Sequence, residues 1–321
     1  MSIDIVVVGS CNIDFINFVD HFPAPGETLT ASSFDMSFGG KGANQAVMAR
    51  MLGGGVAFVG KLGDDHLGKI YKNHLLDLGV DKDSITMEKD IPSGVASVIV
   101  DKSGQNCIII SPGANGQITP QFVHQILPQF LSSAKILLVQ LEIDPQATLA
   151  ALKLAKSHKS KLDVVICDHN FKYCACPWYT DIICFNEVEM QQLAGVDVIK
   201  DPGNTKVAAK HFIDQGCLHV ILTLGERGSV LFNNQNQQGI EIPVPIKLDK
   251  VVDTTGAGDA FLGSLCYFIL EKLKESPKTQ YINPQIISKA MTAATLTVTE
   301  VGAQSSYKTC IEKIKSTLNI Q

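Results

Sequence analysis

Ile136-Leu137-Leu138-Val139-Gln140-Leu141, the helically spaced stretch Gln146–Lys156, and Val164-Val165-Ile166-Cys167 read as strand, helix and strand in succession. Two apolar strands joined through a helix run parallel, because the helix carries the chain back to its starting edge. The same alternation extends outward. Upstream, Ile5–Val8 is a short β-branched run ending at Gly9. Ala43–Leu52 has helical spacing and stops at Gly53-Gly54-Gly55, and Ala57–Val59 is a short strand. Leu67, Ile70, Tyr71, His74, Leu75 and Leu78 then trace a helical stripe ending at Gly79. Downstream come strand Ile182–Phe185, helix Glu187–Leu193, helix Lys206–Gln215, strand Val220–Leu224 and helix Asp259–Leu273. This order predicts an α/β fold: a doubly wound, mostly parallel sheet flanked by helices on both faces. Two tracts break the rhythm. Phe15–Phe38 has no helical stripe and carries Pro23 and Pro25, and Gly94–Ile110 reads as a hairpin around Asp101-Lys102-Ser103-Gly104. Neither suits a parallel core, so both are expected in a small separate β-sheet.

The chain has 321 residues, enough for a large core, and 27 basic against 32 acidic residues, a net charge of −5. With no basic block, nucleic acid and anionic membrane are not expected as partners. The longest apolar runs, such as Ala260–Leu270, fall far below membrane-spanning length, and Asp4 near the start argues against a signal peptide. A soluble, cytoplasmic protein is expected. The nine cysteines contain no CxxC pair, and the one cluster, Cys167, Cys174, Cys176 and Cys184, lies partly on strands, where cysteine acts as a small core residue. Free thiols are expected.

The chemistry concentrates in Asp253-Thr254-Thr255-Gly256-Ala257-Gly258-Asp259, directly before the apolar run Ala260–Leu270. Unpaired N–H groups at a helix start attract phosphate, and a carboxylate in the same turn can accept a proton. Together they read as phosphoryl transfer. A plain glycine-rich turn with an acidic helix start is the alternative, since helix starts favour Asp. Asn12 and Asp14 after the first strand, Glu142, Asn186-Glu187 and Gly225 all follow strand ends, where open α/β sheets bind ligands. Each alone also suits a cap or turn. A second glycine-rich helix start, Phe38-Gly39-Gly40-Lys41-Gly42-Ala43-Asn44-Gln45, is neither a P-loop nor a GxGxxG dinucleotide fingerprint. Its glycines would admit a small ligand, with Lys41 and Asn44 reaching its hydroxyls.

These motifs, with Pro25-Gly26-Glu27-Thr28, Gly63-Asp64-Asp65, Gly113-Ala114-Asn115, Gln140-Leu141-Glu142, Asn186-Glu187-x-Glu189 and Thr223-Leu224-Gly225-Glu226-Arg227-Gly228, resemble the motif set of the ribokinase group of carbohydrate kinases, over nearly the whole chain. The resemblance implies ATP-dependent phosphorylation of D-ribose at O5. Asp259 would be the general base, and Gly256, Ala257 and Gly258 the anion hole. Asn12, Asp14, Gly40, Lys41, Asn44, Glu142 and Asp259 match the sugar contacts. Asn186, Thr223, Leu224, Gly225, Glu226, Arg227, Gly228 and Gly258 match the nucleotide contacts. Glu189 matches the acid that organises Mg²⁺ through water. Asp253, Thr255, Thr297, Glu300, Gly302 and Ser306 match a K⁺ site, although by residue type alone they also suit a helix-capping loop. The two irregular tracts correspond to the family's β-lid, residues 15–38 and 94–111, with residues 1–14, 39–93 and 112–321 as the core. Such a lid would close over the sugar and pair with a second subunit in a homodimer.

One segment departs from the ribokinase pattern. After Val164–Cys167 the chain reads Asp168-His169-Asn170-Phe171-Lys172-Tyr173, closer to the Asp-x-Asn turn of fructokinase-like and ketodeoxygluconate kinases. A related sugar or nucleoside kinase, and a catalytically silent sugar-binding relative, therefore stand beside ribose phosphorylation as alternatives.

Overall fold

The computed structural model describes residues 2–158, 162–168, 176–195, 197–198, 203–275 and 281–320. Of the departing turn, Asp168 lies within these and residues 169–173 lie outside them, as does Cys174.

The opening β-branched run forms β1 (Ile5–Val8), buried on both faces. It pairs in parallel with β4 (Val56–Gly63) on one side and β8 (Ile136–Val139) on the other. Outward from β4 the sheet ends at β5 (Ile85–Glu88). Outward from β8 come β9 (Val164–Asp168), β10 (Ile182–Asn186) and β11 (His219–Thr223), all parallel. Two strands outside the alternating pattern, β12 (Ser229–Asn233) and β13 (Asn236–Ile242), add antiparallel at the edge and complete nine strands. No α-helix separates β11, β12 and β13, and the short connections between them turn each strand back on its predecessor.

Side chains alternate across β1: Ile5 and Val7 enter one apolar layer, Val6 and Val8 the other. The first layer packs under α1 (Lys41–Met51), α2 (His66–Asp77), α7 (Ala257–Glu275), α8 (Pro284–Thr297) and α9 (Gln304–Leu318). The second packs under α3 (Pro120–Leu131), α4 (Pro145–Ser157), α5 (Glu187–Ala194) and α6 (Asn204–Asp214). None of the described helices is long and apolar enough to cross a membrane.

The two irregular tracts meet in a separate four-stranded sheet. Its order is β3 (Ser33–Gly39), β2 (Asn12–Phe18), β6 (Gly94–Val100), β7 (Asn106–Ser111). Strand β2 begins at Asn12, so Asn12 and Asp14 sit on this sheet rather than in a loop after β1. Strand β3 runs through Gly39 directly into the turn before α1. Because β1 has β4 on one side and β8 on the other, the strand order reverses there, and the crevice beyond its carboxyl end is where such sheets hold ligands.

Candidate active site

The glycines of the 39–42 turn let backbone touch backbone. A Cβ on Gly42 would lie 2.7 Å from the carbonyl carbon of Gly9. Gly40 has φ +89°, and a Cβ there would lie 2.7 Å from Cys11 Cα. This contact seats the start of α1 on the end of β1. Lys41 N–H donates to Glu142 Oε2 at 3.0 Å, and Ser10 Oγ donates to the same oxygen at 2.7 Å. Asn12 Oδ1 accepts from Asn115 Nδ2 at 2.8 Å, and Asn115 also bonds the backbone of Cys11 in both directions. Asp14 packs against Gly39, where a Cβ would meet its carboxylate. Burial, then the charge of Glu142, raise the Asp14 carboxyl to about 7.

Asp259, in the first turn of α7, is buried. Its Oδ2 accepts from Asn44 Nδ2 and its Oδ1 from Gln45 Nε2, each at 2.9 Å. Burial and the Asp168 carboxylate raise its pKa to about 7, against the opposing effects of Asn44, Lys41 and Gln45. The preceding Gly256 has φ +72°, and its carbonyl accepts from Tyr307 Oη at 2.6 Å. Ala257 N–H is turned back to Thr254 O at 3.2 Å. Lys41 Nζ lies 3.3 Å from Asp168 Oδ2 and 3.4 Å from Glu189 Oε1. Burial pulls the ammonium pKa down, but Asp168, Glu189, Asp259 and Glu142 outweigh it, so Lys41 is held protonated.

On the other flank of this cluster, Asn186 and Glu189 form a capping box at the start of α5, with Glu189 N–H on Asn186 Oδ1 at 2.9 Å and Asn186 N–H on Glu189 Oε2 at 2.8 Å. Burial is the first cause of a raised Glu189 pKa, with Asp168 adding to it. Beyond β11, Leu224 to Gly228 form a tight loop: Leu224 N–H bonds Gly228 O, Gly225 and Gly228 take positive φ, and Gly225–Arg227 is one 3₁₀ turn. Thr223 Oγ1 donates to Phe185 O at 3.1 Å, and Arg227 pairs with Glu187. Glu226 and Arg227 are exposed.

The loop before α7 is tied to the loop before α9. Asp253 Oδ1 accepts from Thr255 N–H and Oγ1 at 2.9 and 2.7 Å, and Oδ2 accepts from Gly302 N–H at 2.8 Å. Thr297 O accepts from Glu300 N–H at 3.2 Å, and Ser306 Oγ donates to Ala303 O at 2.7 Å. Asp253 and Thr255 thus lie in one loop and Glu300 and Gly302 in the other, with Thr297 at the last position of α8 and Ser306 in the first turn of α9. Among the described residues, no group of three or more His, Cys, Asp or Glu side chains could hold a metal ion.

The sequence matches the model of the pfkB family of carbohydrate kinases over residues 2–310. This chain belongs to that family. Among its relatives, ribokinase of Mus musculus is 34% identical over 311 residues, covering 94% of this chain and 91% of the mouse protein. Ribokinase from Giardia lamblia superposes with a TM-score of 0.89 at 29% identity, over 99% of this chain and all of that one. Arabidopsis thaliana ribokinase, solved in complex with ribose and ATP, superposes with a TM-score of 0.85 at 31% identity, over 98% of this chain and 99% of that one.

For a member of this family, several polar residues at the cluster carried no role on sequence grounds. Gln45 bonds Asp259 and also Asp168 Oδ2 at 2.9 Å, while its own Oε1 accepts from Gln140 Nε2 at 2.6 Å. Gln304 Nε2 reaches Asn44 Oδ1 at 3.0 Å. Polar side chains in glycine-rich or strand-end segments were the available signal for Gln45, Gln140 and Asp168. Gln304 lies between Gly302 and Ser306 of the cation motif and had none of its own. Cys167 and Cys184 are buried free thiols whose pKa values burial raises far above the ordinary thiol range, so both are unreactive core residues.

Proposed function

We propose that this chain transfers the γ-phosphoryl group of ATP to O5 of D-ribose, yielding D-ribose 5-phosphate and ADP. The observation that carries this reading is Asp259: a buried carboxylate at a helix start, both oxygens on amide donors, with a pKa raised to about 7. A base poised near neutral pH can take the hydroxyl proton as O5 attacks phosphorus. The Gly256, Ala257 and Gly258 backbone would stabilise charge on the transferring group, Ala257 N–H swinging off Thr254 O to do so. Phosphoryl transfer needs mostly positioning, and the buried polar cluster provides it.

Asn12, Asp14, Gly40, Lys41, Asn44 and Glu142 would hold the sugar. Burial and the charge of Glu142 raise the Asp14 carboxyl, so Asp14 can carry a proton and donate to a sugar hydroxyl, which suits a paired donor and acceptor. Asn186, Thr223 to Gly228 and Gly258 would hold the nucleotide. Mg²⁺ would neutralise charge on the nucleotide phosphates when bound. Both Glu189 oxygens already meet protein groups, so Glu189 fits a water-bridged role rather than direct coordination. For K⁺ the donor set fits: the carbonyl of Thr255 and carbonyls near Thr297, Glu300 and Gly302, with Ser306 and Asp253, are hard oxygens on or beside the two joined loops. K⁺ there would hold the turn preceding the anion hole.

Residues 15–38 and 94–111, which carry most of the four-stranded sheet, act in this reading as a lid over the remaining core and as a homodimer contact. The sheet's edge strand β7 leaves Ile108, Ile109 and Ile110 at 52, 64 and 51% exposure, an apolar edge of the kind that pairs with another chain.

A coupled ADP-release assay with ATP, Mg²⁺ and K⁺ against D-ribose, 2-deoxyribose, fructose, ketodeoxygluconate and adenosine tests the reading. Turnover on D-ribose above the others is the expected result. Turnover on another member of the panel would make Asp168, which touches Lys41, the first suspect for a changed sugar range. Sugar binding without turnover would make the chain a binding protein.

A further inference from the structure

Two amide side chains reach Asp259, and each is oriented from behind. Gln45 Oε1 accepts from Gln140, which turns Gln45 Nε2 to Asp259 Oδ1. Asn44 Oδ1 accepts from Gln304 Nε2 at 3.0 Å, which turns Asn44 Nδ2 to Asp259 Oδ2. Gln304, at the first position of α9, is 4% exposed. Its Nε2 also donates to Tyr71 Oη at 2.7 Å, and Tyr71 Oη in turn donates a hydrogen bond to Gly39 O at 2.6 Å. Its Oε1 lies 2.9 Å from His74 Nε2, which must carry the proton because an amide oxygen only accepts. His74 is itself stacked on Phe38 of β3, centroids 4.5 Å apart. Every hydrogen bond from His74 to Asp259 therefore has a fixed direction.

We propose that Gln304 is a positioning residue for the transfer step: it locks Asn44 in the one amide orientation that donates to the Asp259 carboxylate. The inference rests on Asp259 being the base. An Asn44 amide turned over would present Oδ1 to a carboxylate oxygen, replacing an attraction with a repulsion. The same Gln304 amide, through Tyr71 and Gly39 O, holds the end of β3 to the sugar side of the cluster. The other charged or titratable groups bearing on Asp259 are Asp168 from β9, Lys41 from α1 and Tyr307 from α9. None of these is hydrogen-bonded to Gln304, so substituting it leaves them in place.

The test compares the parent, Gln304→Met, His74→Phe, Asn44→Ala, the Asn44→Ala/Gln304→Met pair and Asp259→Asn by kcat and kcat/KM against pH, with melting temperatures as a folding control. Gln304→Met should lower kcat about tenfold and move the acid limb up by about one pH unit, the effect of one lost bond to a charged oxygen. His74→Phe, which frees Gln304 to turn over, should move the limb the same way by less and stands in if Gln304→Met does not fold. In the Asn44→Ala background, Gln304→Met should add nothing. An unmoved limb in both single variants, or the full loss repeated in the Asn44→Ala background, overturns the inference while Asp259→Asn remains inactive. Turnover retained in Asp259→Asn overturns the reading of the base, and the inference with it.

Discussion

Asp168 and Asp259 share one donor: Gln45 Nε2 lies 2.9 Å from Asp168 Oδ2 and 2.9 Å from Asp259 Oδ1. Two carboxylates bridged by a single amide repel each other in a buried site, and after burial this neighbour is the main influence raising Asp259. The same Asp168 oxygen faces Lys41 Nζ at 3.3 Å, so the lysine offsets part of that repulsion. The end of β9 thereby adds to the effect of burial on the proton affinity of the proposed base.

Replacing Asp168 with Asn keeps an acceptor for Gln45 and Lys41 but removes the charge. The pKa of Asp259 should fall from about 7, moving the acid limb of the kcat/KM profile to lower pH by about one unit. A pH–rate profile of D168N checks this. An unmoved or raised limb would mean that the Asp168 charge does not reach the base.

Asp259→Asn should lower kcat by at least about 10²-fold while sugar affinity changes only a few-fold. Stability carries a second signature. The folded pKa of Asp259, about 7, lies above the unfolded value near 3.8, so ionising the buried group destabilises the fold progressively from about pH 4 to pH 7. The neutral Asn escapes that penalty. Relative to the parent, the variant should therefore gain stability between pH 4 and pH 8, by up to about 4 kcal/mol. Urea unfolding of both proteins at the two pH values measures the difference, and equal curves at both would mean Asp259 is not buried as a charge.

Much of the architecture is legible in the chain because its signals are local. The β-branched run Ile5–Val8 reads as the buried strand it is, and the glycines around Lys41 mark a close backbone approach by their residue type alone. The hairpin read at Gly94–Ile110 forms as β6 and β7 around the Asp101–Gly104 turn. What is not legible depends on distant return of the chain. Gln304 acquires its role because α9 packs its first turn against Asn44 and Tyr71, 260 and 233 residues away along the sequence. Asp168 looks like a polar strand end until β9 is seated two strands from β1, where it meets Gln45 and Lys41. The antiparallel strands β12 and β13 lack the intervening helix by which the alternating pattern is recognised.

Gly42→Ala places a methyl carbon 2.7 Å from Gly9 C and 2.8 Å from both Gly9 Cα and Ser10 N. All three neighbours are backbone, so α1 has to move off β1 rather than a side chain swing aside. Lys41 and Asn44 move with it. The expected cost is about 1–3 kcal/mol of stability and about 10²-fold in kcat/KM, since a displacement near 1 Å is enough to spoil a phosphoryl-transfer geometry. Denaturant unfolding with steady-state kinetics checks both parts, and an active, stable variant would show that the turn tolerates displacement.

Ile109→Lys puts a charge on the exposed apolar edge strand β7 at a residue that is 64% exposed. If that edge pairs with another copy of the chain, the variant should shift from dimer to monomer in sedimentation velocity, with its melting temperature within a few degrees of the parent. A parent that already sediments as a monomer, or a variant that remains dimeric, would remove the lid edge as the dimer contact.

Asp253 holds three donors from two loops, Thr255 N–H, Thr255 Oγ1 and Gly302 N–H, and a cation among the neighbouring carbonyls would reinforce that clasp. Asp253→Ala removes both the clasp and the charge, which lets the loop before Gly256 drift from α9. Turnover of the parent should rise at least several-fold when K⁺ replaces tetramethylammonium, because K⁺ would steady the turn ahead of the anion hole. The Asp253→Ala variant should have low turnover in both buffers. A parent equally fast in both buffers would remove the cation from the proposal. An Asp253→Ala variant that still responds to K⁺ would move the cation site elsewhere.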